Sequence, residues 1–98
     1  MAAGDAYIKA PASVSAAAFM DLQPGSGVEI VVHDIYVPAG TSYEIYFSDG
    51  TNNILYLDMP AGGGALNLQA HCTNTNYVRV KNVSAAAAIM AASGMTTK

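Results

Sequence analysis

Tyr43-Glu44-Ile45-Tyr46-Phe47-Ser48-Asp49-Gly50-Thr51-Asn52-Asn53-Ile54-Leu55-Tyr56-Leu57-Asp58 is the stretch whose reading decides the fold. Two runs rich in aromatic and branched side chains flank Asp-Gly, a strong short-range hairpin signal. With Asp49 to Asn52 as a four-residue loop, Ser48 faces Asn53, Phe47 faces Ile54 and Ile45 faces Tyr56. One face of the hairpin then carries Tyr43, Ile45, Phe47, Ile54 and Tyr56 and reads as core. The other carries Glu44, Tyr46, Leu55 and Leu57, which is half apolar. A strand pair that is apolar on both faces needs cover from something else.

Outward from the hairpin, turn signals recur about every ten residues, the spacing of a sandwich or barrel. They are Gln23-Pro24-Gly25-Ser26-Gly27, Pro38-Ala39-Gly40, Pro60-Ala61-Gly62-Gly63-Gly64, Thr73-Asn74-Thr75-Asn76 and Asn82-Val83-Ser84. Between them, strands are expected near 28–37, 42–48, 53–58, 65–72 and 77–81. In 65–72, Leu66, Leu68, Ala70 and Cys72 take the inward parity and Asn67, Gln69 and His71 the outward one. In 77–81, Val78 and Val80 point in, and Tyr77, Arg79 and Lys81 point out. The alanine segments 13–20 and 85–92 favour helix by propensity, but eight residues are short for a helix held by propensity alone. Both are read as strands. The expected architecture is all-β: an antiparallel β-sandwich of seven to eight strands, with a jelly roll as the candidate topology. Residues 1–15 form an N-terminal arm or first edge strand, and 16–98 a single sandwich domain.

Composition limits the rest. The 98 residues suit one domain. The apolar fraction is 52 % and the charged fraction 11 %, against about 45–50 % and about 25 % in average soluble domains. Eighteen alanines carry much of that surplus, so it lies in small side chains. One cysteine makes no internal disulfide, and no apolar run reaches the ~18 residues of a membrane-spanning helix. Residues 16–20 lack the cationic flank of a secretory leader, so synthesis in the cytoplasm is expected. Net charge is −3, with no basic residue between Lys9 and Arg79. Binding to nucleic acid or to an anionic membrane, each of which needs a Lys/Arg patch, is therefore not expected.

The candidate chemistry resolves into ordinary structure. His71 and Cys72 are neighbours on a strand and point apart; Cys72 reads as a buried hydrophobe. His33 and Asp34 also diverge unless a bulge intervenes. Two histidines and one cysteine make a poor zinc set. The Asp49–Asn53 stretch lacks the acidic twelfth position of a calcium loop and reads as a turn. Asp34 and Asp58 share a parity with Ile45, as a glycosidase pair would, but no cleft-forming insertion accompanies them. Gly62-Gly63-Gly64 has no following Lys-Ser/Thr, so it is a loop rather than a phosphate cradle. No catalytic residue, metal ligand or cofactor is expected. Tyrosine is enriched at interfaces, and Tyr46 and Tyr77 on outward parity are the expected contact residues. Leu55 and Leu57 join them, with Tyr7 and Ile8 on the arm.

The stretch Asp49 to Leu55, the loop Thr73 to Asn76 leading into Tyr77-Val78-Arg79-Val80-Lys81-Asn82, and the closing Ser93-Gly94 resemble small all-β virion proteins of tailed bacteriophages. Those are capsid decoration (cement) or head-fibre proteins, and the resemblance runs from Ile30 to Met95, roughly two-thirds of the chain. It implies a non-enzymatic homo-oligomer, a trimer, on the capsid surface of a virion. There it would bridge neighbouring major capsid protein subunits and stiffen the shell. The alternative is a glycan- or receptor-binding sandwich from a phage fibre or a secreted protein, using exposed tyrosines.

Overall fold

The computed structural model describes residues 3–64 and 68–98. Eight strands form two antiparallel sheets: β1 (Ala6–Val14), β2 (Phe19–Leu22), β3 (Ile30–Tyr36), β4 (Tyr43–Ser48), β5 (Asn53–Met59), β6 (Ala70–Cys72), β7 (Tyr77–Asn82) and β8 (Ala88–Thr96). The first sheet runs β1-β8-β3-β6 and the second β2-β7-β4-β5. The pairs β1/β8, β2/β7, β3/β6 and β4/β5 nest inside one another, so the chain is one long folded-back hairpin wrapped into a sandwich. This is the eight-stranded jelly roll.

The core lies between the sheets. Leu22, Ile30, Val32, Ile35, Tyr43, Ile45, Val80 and Cys72 are fully buried there, with Met90 and Ala92 almost so. Of the two alanine segments expected as strands, 85–92 is strand from Ala88 on, where Ala88 faces Val14 and Ala92 lies between Lys9 and Ile35, whereas Ala16 to Ala18 of 13–20 lie in the connection between β1 and β2, with Ala17 at a φ of 66°. Residues 13–14 close β1, 19–20 open β2, and turns occupy the stretches between. The expected strand at 65–72 is shorter, beginning at Ala70; Leu66 and Asn67 lie outside the described residues.

Register departs from the even pairing of the hairpin at one point. Ser48 pairs with Asn53 and Phe47 with Ile54, as expected. Tyr46 then pairs with Leu55 and Ile45 with Leu57, leaving Tyr56 as the extra residue of a β-bulge. Everything beyond it changes face, so Leu57 turns inward and packs against the core. The core face read from alternation is thus only half right. Tyr43 and Ile45 are buried, but Phe47, Ile54 and Tyr56 are 40 %, 66 % and 57 % exposed.

The hairpin turn is held by its own side chain. Asp49 Oδ1 accepts hydrogen bonds from the backbone N–H of Thr51 (2.9 Å) and Asn52 (2.7 Å), and Asn52 Nδ2 donates to Oδ2 (3.1 Å). These donors hold the Asp49 carboxyl below its ordinary value of 3.8. A depressed carboxyl adds stability above its unfolded pKa, and that stability is lost as pH falls through the folded value. Thermal melts from about pH 5 to pH 2 should therefore show an acid-side loss that Asp49→Asn reduces. Identical acid-side slopes for both proteins would contradict this.

Candidate functional site

Register sorts the outer face of the second sheet into rows. Asp21, Arg79, Tyr46 and Leu55 form one, and Phe19, Lys81, Glu44 and Asp58 the next. Arg79 Nε donates to Asp21 Oδ1 at 2.6 Å, and its guanidinium lies 3.9 Å from the centre of the Phe19 ring. Tyr46 meets the same ring edge-on at 5.9 Å. Its hydroxyl donates to Glu44 Oε1. That hydrogen bond, then burial and the nearby Glu44 and Asp58 charges, raise the phenol's pKa. Tyr46 is therefore half covered by its own sheet, while Leu55 at the end of its row is 51 % exposed.

Tyr77, expected as an outward contact residue, is not exposed on this face. It has the outward parity, but it is buried at 7 % exposure. The hairpin turn folds over it, so that a Cβ on Gly50 would lie 3.8 Å from its hydroxyl. Leu57 leaves the outer surface because of the bulge. At the other end of the chain, Tyr7 and Ile8 belong to edge strand β1. Tyr7 packs against the core, and its phenol is raised by burial and then by Cys72. Ile8 points outward and is 64 % exposed.

Ile8 is part of a surface that alternation in the hairpin did not reveal. Tyr36, Ile89 and Met95, from 46 % to 55 % exposed, share the outer face of the first sheet with it. The signal for Ile89 was its parity opposite buried Met90, legible only once 85–92 is accepted as strand. A shallow groove of about 510 Å³ crosses this face, lined by Pro11, Tyr36, Pro38, Ile89 and Ala91. A second groove, about 270 Å³, opens between the sheets beside Phe47, Tyr56, Gln69 and Val78. Each holds one tyrosine. The floor of paired tyrosines expected of a glycan site, from Tyr46 and Tyr77, is not formed.

The titratable groups are dispersed. Cys72 is buried, its thiol raised by burial, while His71 points the other way and lies 3.2 Å from Glu29. A bulge does occur at His33, between Val32 and Asp34, but neither His33 nor Asp34 lines the grooves above. Asp34 faces Ser93 on the outer side of the first sheet, and Asp58 faces Glu44 on the outer side of the second. The two carboxylates therefore look away from each other across the sandwich and cannot flank one glycosidic bond. Gly62 and Gly63 are tied into the β4–β5 end: Tyr43 Oη donates to Gly63 O at 2.6 Å, and Gly62 N–H donates to Met59 O. Among the described residues, no group of three His, Cys, Asp or Glu side chains could hold a metal ion.

Fold and surface together define a small jelly-roll sandwich with exposed apolar side chains on the outer face of the first sheet and along the free edge of the second. No protein-family model matches the chain, and no curated protein sequence matches it either.

Proposed function

We propose that this chain is a non-enzymatic structural protein of a virion, a capsid decoration protein that works by covering and bridging other subunits. The observation that carries the reading is the placement of apolar side chains outside a completed core. Ile8, Tyr36, Ile89 and Met95 cross the outer face of the first sheet, and Phe47, Ile54, Leu55 and Tyr56 are exposed near the free edge of the second, on both its faces. Each set exposes roughly 400 Å², taking about half of a ~200 Å² side chain apiece. The largest apolar patch of a typical monomer is about 300–600 Å² and is often functional. Viral capsid proteins are among the users of the jelly roll, which supports the reading by analogy only.

The mechanism is linkage. A protein that binds the assembled shell and not its separated subunits stabilises the shell, by about 2.7 kcal/mol per site at a hundredfold excess over Kd. The major capsid protein is the partner, and the decoration protein acts there as a homo-oligomer. The test is co-sedimentation with purified heads stripped of their surface proteins, from the virus that encodes the chain. Saturable binding in fixed ratio to the capsid subunits, with a raised disruption temperature of the heads, is the expected result. Heads that neither bind the protein nor gain stability would overturn the reading.

A further inference from the structure

We propose that the open edge between the two sheets binds a neutral oligosaccharide, with Phe47 and Tyr56 as its apolar floor and the side-chain amides of Gln69, Asn52 and Asn76 as its polar rim. The site does not rest on the decoration reading. The outer face of the first sheet stays available to other subunits whether or not a sugar is bound.

The bulge in β5 builds the floor. Tyr56 has no partner on β4 and lines the groove between the sheets instead, beside Phe47, Ala70 and Val78. A second depression, about 190 Å³, lies toward the hairpin turn among Phe47, Asp49, Asn52, Ile54 and Asn76. Phe47 borders both, so the two adjoin. Each is smaller than the ~300–1,000 Å³ of pockets for drug-sized ligands. Two small hollows side by side suit a molecule made of linked rings, one ring to each.

The lining selects the chemistry of those rings. Aromatic faces next to carboxamides match a ligand with apolar C–H faces and a hydroxylated rim, which describes a sugar. The C–H groups stack on the negative face of an aromatic ring, and a carboxamide can donate to one hydroxyl while accepting from its neighbour. That capacity is unused. Among the described residues, the Gln69 side chain makes no hydrogen bond. Asn52 and Asn76 each spend only one amide hydrogen, on Asp49 and on Thr75, and their side-chain oxygens accept nothing. A lipid chain or apolar peptide side chain would cover these groups without satisfying them, which is unfavourable.

Charge narrows the class further. Neither hollow has a lysine or arginine in its lining, so a phosphate or carboxylate on the ligand finds no counter-charge. Asp49 repels it, and the oxygens of Asp49 are already engaged by Thr51 and Asn52.

The rim is set before any ligand arrives. Asn76 N–H donates to Thr73 Oγ1 at 3.1 Å, and Asn76 O accepts from Thr73 N–H at 2.7 Å. This turn is clamped to the β2–β3 connection: Gln23 Nε2 donates to Asn74 O (2.7 Å) and Asn74 Nδ2 to Pro24 O (3.1 Å). Groups fixed in advance lose little freedom on binding, and an open site of this size then binds in the millimolar range.

Titration of the isotope-labelled protein with cellobiose, maltose, lactose and diacetylchitobiose, each into the tens of millimolar, tests the site by nuclear magnetic resonance. At least one should shift the signals of Phe47, Tyr56, Gln69 and Asn76 saturably and leave those of Ile8, Ile89 and Met95 in place. Tyr56→Ala and Gln69→Ala should each weaken that binding by roughly three- to tenfold, the size of one lost contact. Tyr56→Phe, which keeps the ring, should retain it, as should Tyr46→Ala on the outer face. Tyr56 and Gln69 are exposed, so the variants should melt with the wild type. No shift from any of the four sugars overturns the site. So does binding that survives both alanine variants, or tighter binding of the anionic digalacturonate. Heads bound by a protein that ignores all four sugars would remove this site and leave the decoration reading intact.

Discussion

Gly94→Ala should cost about 3 kcal/mol or more, at or beyond the upper end of the usual range for overpacking. Gly94 sits in β8 between Tyr7 of β1 and Val32 of β3. A Cβ there would lie 2.0 Å from the Val31 carbonyl oxygen and 2.9 Å from Val32 Cα. Both are backbone atoms of a strand paired on both sides, so no flexible side chain can move aside. For a domain of this size each kcal/mol lowers Tm by roughly 4–8 °C, so the variant should melt at least about 12 °C below wild type. Thermal unfolding followed by circular dichroism measures it. A loss of a few degrees would mean that β3 and β8 do not pack in this register.

Asn82→Leu should be comparably damaging for a different reason. Asn82 is fully buried at the end of β7. Its Nδ2 donates to Val14 O (2.8 Å) and Ala86 O (2.9 Å), and its Oδ1 accepts from Ser84 N (2.9 Å) and Ser84 Oγ (2.6 Å). One amide thus links the end of β1, the last strand of the second sheet and the turn into β8. Leucine has similar bulk and satisfies none of these groups. Each stranded buried group costs about 1–3 kcal/mol, for a total of roughly 3–5 kcal/mol in denaturant titration. Asn82→Asp adds a sign. A carboxylate between two carbonyls has its pKa raised above the unfolded ~3.9, so that variant should be least impaired below about pH 4 and lose stability as pH rises through the folded value. A loss independent of pH would place Asn82 outside the buried network.

These two residues also mark what alternation alone leaves hidden. The strands at 43–48 and 53–59 were legible because aromatic and branched residues alternate on either side of an Asp-Gly turn whose carboxylate closes it. The bulge at Tyr56 was not. An extra residue in a ladder carries no side-chain signature, yet it moves Leu57 to the core side and Tyr56 to the open groove. Phe47 and Ile54 have core parity and are exposed because the inner face of the second sheet is left uncovered at that end. Tyr77 fails in the opposite sense: its parity is outward, but the turn that follows β4 closes over it. Parity reports which way a side chain points, and coverage depends on loops and neighbouring sheets. The strand reading of the alanine segments holds from Ala88 to Ala92, where pairing with β1 and β3 overrides propensity, and fails for Ala16 to Ala18, which connect β1 to β2. Leu55, given the outward parity in the hairpin, is exposed, and Ile8, expected on the arm, is exposed on edge strand β1. Ile89, Met95 and Tyr36 join Ile8 only through the pairing of β1, β8 and β3, which no local pattern announces.

The proposed function requires the protein to assemble with other copies of itself. The mass of the wild-type protein in solution tests that most directly. Light scattering at tens of micromolar should give a defined multiple of the 10.1 kDa chain, persisting on dilution into the low micromolar range. A mass of 10.1 kDa at every concentration would contradict it.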